Sequence, residues 1–245
     1  MVNAGTSVTT GTDGTFEIHV SPGVYDLRFT PPSNSGLRSY LATGVDATST
    51  ASLRIILKPI TVIHLEGVVR DGNDNHYPRT SLTFIPAAGG PATSVTADTT
   101  GHYSVELLAG QYRISAFHFP GTVYSSVNFK NPVDFEQSQT YDVVMPMSTL
   151  TVSVRDLDGK PVTDASIASD PDYPSTADYS GFTFINPAAV DTTTGDVALN
   201  MITGTKPQNA RITLKSGLTV PFAAPTVDHD QSIAVTIPRS IHLEG

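Results

Sequence analysis

Thr12-Asp13-Gly14-Thr15-Phe16-Glu17-Ile18-His19-Val20-Ser21-Pro22-Gly23-Val24-Tyr25 returns further along the chain as Thr99-Thr100-Gly101-His102-Tyr103-Ser104-Val105-Glu106-Leu107-Leu108-Ala109-Gly110-Gln111-Tyr112. Gly14 and Gly101, Gly23 and Gly110, Tyr25 and Tyr112, and Pro59 and Pro146 each stand 87 residues apart, so the match needs no gap across most of a repeat. A period of this length marks a chain of copied modules. A third copy is fainter. Leu150-Thr151-Val152-Ser153-Val154-Arg155-Asp156 parallels Leu65-Glu66-Gly67-Val68-Val69-Arg70-Asp71, Gly195 stands within Thr194 to Met201, and Ile233 to Pro238 repeats the closing strand with its proline. The pentapeptide Ile63-His64-Leu65-Glu66-Gly67 recurs unchanged as Ile241-His242-Leu243-Glu244-Gly245.

Inside a repeat the hydrophobic period is two, which puts alternate side chains on one buried face of a strand. Phe16, Ile18 and Val20 alternate with Thr15, Glu17 and His19, and Tyr25, Leu27 and Phe29 with Val24, Asp26 and Arg28. The second copy repeats this with Tyr103, Val105 and Leu107, then Tyr112, Ile114 and Ala116 facing in. The closing strands read Tyr141, Val143, Met145 and Ile233, Val235, Ile237, while the phase of Leu53 to Leu57 stays open. Asp71-Gly72 and Asp158-Gly159-Lys160-Pro161 are turn signals, and Gly23 and Gly110 hold turn positions suited to positive φ. Short strands separated by such turns predict all-β, tandem antiparallel β-sandwich modules, the first one truncated.

The expected division is 1–60, a partial sandwich without its opening strands; 61–147, a complete sandwich; 148–239, a divergent sandwich with an insertion at 169–191; and 240–245, the first strand of a further unit. Pro146-Met147-Ser148 and Pro238-Arg239-Ser240 leave almost no linker, which favours a stiff array over beads on a string. Met1 to Thr12 is polar and carries no leader pattern, as in an internal piece of a longer exported chain or a protein that is not exported.

The 245 residues carry 14 Lys and Arg against 23 Asp and Glu, a net charge of -9. So few, scattered cations argue against nucleic acid. With no cysteine, disulfides, thiolate catalysis and Cys-ligated metal are excluded. No apolar run approaches a membrane span.

The succession Val-Arg-Asp, Asp-Gly-Lys-Pro (158–161), a small-residue strand, Thr-Asp-Gly-Thr-Phe (12–16) and Pro-Gly-Val-Tyr (22–25) resembles the carboxypeptidase regulatory-like domains, transthyretin-like sandwiches similar to the B-type repeats of bacterial collagen adhesins. The resemblance covers nearly the whole chain, best in the second copy. It implies a non-catalytic spacer or accessory module of secreted or cell-surface proteins. Collagen-adhesin relatives often carry a Lys–Asn isopeptide bond whose lysine lies in the first strand; Arg70 and Arg155 stand there, so none is expected. No histidine is followed three residues on by glutamate, so the zinc carboxypeptidase pair of the family's namesake is missing.

No His-Glu-x-x-His, Gly-x-Ser-x-Gly or phosphate loop occurs, and neither catalytic nor cofactor-binding residues are expected. Of the seven histidines, His64 and His242 occupy equivalent repeat positions and His19 and His102 lie in or beside the same repeated strand on its polar alternation, as surface residues would. The one segment that stands out is Ser169 to Asp191, with Asp170, Asp172, Asp178 and Asp191 beside Tyr173, Tyr179, Phe182 and Phe184 and no Lys or Arg. Its simplest reading is a local core with solvated acids. Tyr173, Tyr179 and Phe182 are the candidates for a ligand or partner surface, and Asp170, Asp172 and Asp178 for a Ca²⁺ site, although their spacing matches no calcium-loop template.

These readings converge on a non-enzymatic structural or binding array of an extracellular or cell-surface protein, a stalk, adhesive or ligand-presenting element. Its partners would be an extracellular protein or polysaccharide and neighbouring domains of a longer chain. The alternative is an accessory, carbohydrate-binding region of a larger secreted hydrolase.

Overall fold

A computed structural model describes residues 5–49, 52–119 and 121–238. The expected strand at 240–245, with its repeated pentapeptide, lies outside the described residues. The first repeat contributes the hairpin β1 (Val24–Phe29) and β2 (Tyr40–Asp46). The second contributes β3 (Val62–Arg70), β4 (Ser81–Pro86), β5 (Thr93–Thr96), β6 (His102–Leu108), β7 (Gly110–His118), β8 (Val123–Phe129), β9 (Val133–Phe135), β10 (Gln139–Thr140) and β11 (Val143–Val144). The remainder forms β12 (Met147–Arg155), β13 (Ala165–Asp170), β14 (Tyr179–Ile185), β15 (Ala188–Ala189), β16 (Asp196–Ile202), β17 (Gln208–Leu214), β18 (Thr219–Pro221) and β19 (Gln231–Thr236). No helix occurs among the described residues, and the fold is an all-β arrangement of packed sandwich layers.

The sheets are organised around two opening strands. β3 pairs antiparallel with β6, Ile63 opposite Leu107 and Leu65 opposite Val105, and parallel with β10 and β11 on its other side. β12 likewise pairs antiparallel with β16 and parallel with β19. The pairing is antiparallel everywhere except where the closing strand joins the opening one. The facing layers are β14-β8-β7-β4-β5 with β9 beside β7, and β15-β13-β17-β18. Between the first pair of layers lie Leu65, Leu82, Phe84, Tyr103, Phe135 and Met145; between the second lie Leu150, Val152, Ile167, Leu199, Met201 and Ile212.

The period-two reading of the side chains holds. Tyr103, Val105 and Leu107 are buried, as are Tyr112, Ile114 and Ala116. The phase left open at 53–57 is decided here: Leu53, Ile55 and Leu57 are half-buried and Ile56 is exposed. The hairpin keeps the repeat at the level of pairing, since Arg28 opposite Leu41 and Phe29 opposite Tyr40 are the counterparts, 87 residues earlier, of Ser115 opposite Asn128 and Ala116 opposite Val127. Neither 15–20 nor 53–57 is a strand, although both alternate in burial as strands do. The expectation of positive φ at Gly23 and Gly110 is corrected, for neither adopts it. Close approach constrains them instead: a Cβ would stand 3.4 Å from the Tyr25 ring at Gly23 and 3.4 Å from Arg38 Nη1 at Gly110.

His118 is a buried titratable group inside this frame. Thr80 Oγ1 donates to the Tyr77 carbonyl at 2.7 Å and so accepts from His118 Nδ1 at 2.9 Å, which places the ring proton on Nδ1. The imidazole meets the Tyr77 ring edge-on at 4.9 Å, and burial pushes its pKa down to about 4 from 6.5. Between those two values the unfolded chain binds more protons than the folded one, so this contribution to stability is complete above pH 6.5 and is lost as pH falls toward 4. Its size is at most about 3 kcal/mol. Urea unfolding at pH 7.5 and pH 4.5 should show this loss in the wild type, and His118→Leu should reduce the pH-dependent difference.

Candidate functional site

The segment 169–191 is an internal seam of the molecule. Its residues Tyr179–Ile185 form β14, paired over seven positions with β8, from Tyr179 opposite Phe129 to Ile185 opposite Val123. Seven residues expected as an insertion of the third repeat thus complete a six-stranded sheet of the second. The alternation that sequence reasoning passed over explains it. Tyr179, Gly181, Thr183 and Ile185 point to one face and Ser180, Phe182 and Phe184 to the other, a period-two pattern hidden by the acidic residues around it.

The inward face of this ribbon serves two cores. Val127, Phe129 and Tyr179 pack with the cluster of the second repeat, whereas Val123 and Ile185 belong to the cluster of the third. Ile202, at the end of β16, crosses in the opposite sense and is buried in the cluster of the second repeat. Between them the buried hydroxyls of Ser125 and Thr183 meet at 3.2 Å. Tyr179 Oη donates to the Thr203 carbonyl at 2.8 Å, so this aromatic is a structural tie between β14 and the end of β16. Lys130 binds Ser175 Oγ at 2.9 Å and the Thr176 carbonyl.

The outward face carries a row of rings. Phe119 stacks on Tyr124 at 3.7 Å, Tyr124 on its cross-strand partner Phe184 at 4.4 Å with 7° between planes, Phe184 lies 6.5 Å from Phe182, and Phe182 6.3 Å from Tyr173. In the tight pairs the ring faces are covered by one another. An offset or stacked aromatic pair adds about 0.5–1.5 kcal/mol beyond its burial, so the row strengthens the seam. Tyr173, 72% exposed at the end of the row, keeps its surface open to solvent. Of the three aromatics suggested for a ligand surface, Tyr173 and Phe182 share this face and Tyr179 lies on the other.

The three candidate carboxylates are engaged separately. Asp170 accepts from Asn209 Nδ2 at 2.8 Å and Arg211 Nη1 at 3.2 Å, which hold its pKa below the ordinary value. Asp172 accepts from the Lys206 amide at 2.7 Å, and Asp178 from Asn131 Nδ2 at 3.2 Å. Among the described residues no group of three or more His, Asp or Glu side chains is arranged to hold a metal ion. Arg70 binds Asp142 at 3.1 Å and Arg155 binds Asp196 at 2.8 Å.

A cleft of about 520 Å³ lies between the first hairpin and the second repeat, lined in part by Arg38, Tyr40, Ile60, Leu108, Gln111 and Tyr112. Beside it, Glu136 of the second repeat binds Arg38 and, at 2.9 Å, Lys58. Burial opposes ionisation of Glu136, but these two cations hold its pKa at about 2. Burial and the neighbouring Glu136 charge raise that of Asp134. No cue in the sequence singled out Arg38 or Gln111, because the cleft is assembled from segments far apart in the chain.

No protein-family model matches the chain, and no curated protein matches it. Solved structures with partial similarity include the Bacillus anthracis TIE protein (13% identity, 93% of this chain, 44% of that one, TM-score 0.31). Others are a streptococcal ancillary pilin (13%, 88% and 76%, TM-score 0.28) and the shaft pilin SpaA of Lactobacillus rhamnosus GG (10%, 76% and 100%, TM-score 0.35). The chain spans less than half the length of the first of these. Overlaps of this quality specify neither a shared site nor a shared activity.

The seam has a sensitive point. A Cβ on Gly181 would overlap the Ser126 carbonyl and stand 2.7 Å from Ile202 Cδ1. Gly181→Val should therefore cost roughly 2 kcal/mol or more through overpacking, read as a lowered urea midpoint by circular dichroism. Gly72→Ala, with open space around the site, should leave the midpoint nearly unchanged.

Proposed function

We propose that the chain is a non-enzymatic array of carboxypeptidase regulatory-like sandwich modules, divided at 1–60, 61–147 and 148–239, that acts as a stiff presenting or adhesive element of a secreted or cell-surface protein. The observation that carries this reading is the pairing of β14 with β8. A strand from beyond the proposed boundary at 147/148 is hydrogen-bonded along its length into the preceding module's sheet, and the two cores share the ribbon. Such a joint removes the hinge that a Pro-Met-Ser linker alone would leave, and stiffness is what a stalk under tension requires.

Its partners, on this reading, are an extracellular protein or polysaccharide together with neighbouring domains. A second reading, an accessory region that holds a secreted hydrolase on polymeric carbohydrate, draws on one feature, the open ring of Tyr173 at the end of the aromatic row. Sugar rings pack against such exposed aromatic surfaces.

The absence of native cysteine makes spin labelling direct. Labels at Thr96→Cys on β5 and Ser232→Cys on β19, both exposed strand positions, should give one narrow distance distribution by pulsed electron resonance, broadened by Gly181→Val. A broad distribution in the otherwise unaltered chain would overturn the rigid-array reading.

A further inference from the structure

We infer that the cleft between the first hairpin and the second repeat takes an extended peptide segment of a partner protein, which adds as a strand to the free edge of β2 and lays apolar side chains on Ile60, Val62 and Leu108. The inference rests on the reading of the chain as an adhesive or presenting element and gives that element a partner of defined chemistry.

Both joints of the chain start from the same edge. β1 and β2 are the 87-residue counterparts of β7 and β8, and the far side of β8 is taken by β14, with Ser180 opposite Asn128, Gly181 opposite Val127 and Phe182 opposite Ser126. Transposed by the same offset, that seat runs along Ser39, Tyr40 and Leu41. β14 reaches its seat because the connection from β13 to β15 is long, 171–187. β15 pairs antiparallel with β13 as β5 does with β4, so the corresponding connection of the second repeat is 87–92, which is short and carries no strand. The module that follows β2 therefore leaves this seat uncovered. Leu37 bridges to Pro59, but from Tyr40 onward β2 is paired with β1 alone among the described residues. The cleft of about 520 Å³ opens at this place, with 37–40 on one wall and 88–91 on another. An edge strand with unpaired backbone groups is a template for a further strand.

The lining suits a peptide. Ile60 is 50% exposed, Val62 63%, and Leu108, the cross-strand partner of Val62, 48%. Single exposed apolar residues are ordinary on a protein surface, whereas three that line one concave site form a seat for the apolar side chains of a partner. Two polar atoms border the same site. Arg38 binds Glu136 through Nη2, but its Nη1 is buried without a hydrogen-bond partner, as is Oε1 of Gln111. Arg38 Nη1 lies against Gly110, the chain neighbour of Gln111, where a Cβ would stand 3.4 Å from it. Buried polar groups are rarely left unpaired, and a turn of either side chain toward the cleft offers its bond to a ligand. A peptide group carries one N–H and one C=O, the complement of a free acceptor and a free donor. Main-chain pairing along β2 supplies affinity, and the aliphatic floor selects alternate apolar side chains. Saccharides stack on open aromatic faces, and the rings of this cleft are not open: Tyr112 is buried and Tyr40 half-buried.

A displayed library of short random peptides, panned on the full chain, is the probe. Selected peptides should bind saturably by calorimetry, and Val62→Asp, a change at an exposed position, should weaken them by about tenfold or more. Ile60→Asp, outside the strands, serves the same purpose should Val62→Asp lower the urea midpoint. Methylating every second backbone amide of a selected peptide keeps its side chains and removes strand donors, so one of the two methylation phases should abolish binding. Amide hydrogen exchange at 40–46 should slow in the complex. A library that yields no saturable ligand overturns the inference, as do ligands that bind both aspartate variants undiminished or tolerate methylation in both phases. Displacement of a selected peptide by soluble glucose oligosaccharides would also overturn it and assign the cleft to carbohydrate. A chain that is stiff by spin labelling yet takes no peptide loses this inference and keeps the rigid-array reading; one that binds peptides with a broad distance distribution does the reverse.

Discussion

Each module depends on its opening strand having a neighbour on both sides. β3 and β12 are the strands in which every second side chain is buried and both backbone edges are paired, antiparallel to one neighbour and parallel to the closing strand. A parallel neighbour demands a long connection, and the rest of the module is that connection. The strand therefore closes a loop through the whole unit, and its pairing is what turns several short strands into two layers around a core. In the first repeat the hairpin β1–β2 forms in the same register as β7–β8, because a hairpin needs only local contacts, whereas 15–20 and 53–57 alternate in burial without forming strands.

The second constraint is the seam between the second and third repeats. Edge strands invite association, and folded proteins cover them. Here β8 would be such an edge, and β14 covers it. The cover is bound by backbone pairing, by the Ser125–Thr183 hydroxyl contact, by aromatic stacking outside and by a ribbon shared between two cores inside. The junction with the first repeat is of another kind, an ion-pair cluster of Arg38, Lys58 and Glu136 beside a cleft. One joint is a continuation of a sheet and the other holds a cluster of ion pairs.

Much of this was legible in the residues. The 87-residue offset, the inward phase of most strands and the all-β class follow from periodicity and turn chemistry, which are local. The aromatic and acidic segment 169–191 was visible as unusual, but its role was not. Tyr179, Phe182 and Tyr173 read as one surface because they are close in sequence, yet Tyr179 faces the core while Phe182 and Tyr173 face solvent. The alternation within 179–185 was the available signal. Asp170, Asp172 and Asp178 read as a group for the same reason, and the fold distributes them to Arg211, Lys206 and Asn131. Gly23 and Gly110 were assigned to positive φ from their turn context, whereas the conformational freedom is used at Gly14, Gly101 and Gly195.

The amino-acid sequence alone determined that this protein is built of repeated strands with alternating faces, because the pleat forces a period of two and any buried face must then be apolar at that period. It also determined the register of the first repeat against the second, because copies inherit spacing. Only the tertiary structure decided which strands share a sheet. Backbone hydrogen bonding between strands is indifferent to side-chain identity and to distance along the chain, so the partner of β8 was a matter of which edge lay open and which segment reached it.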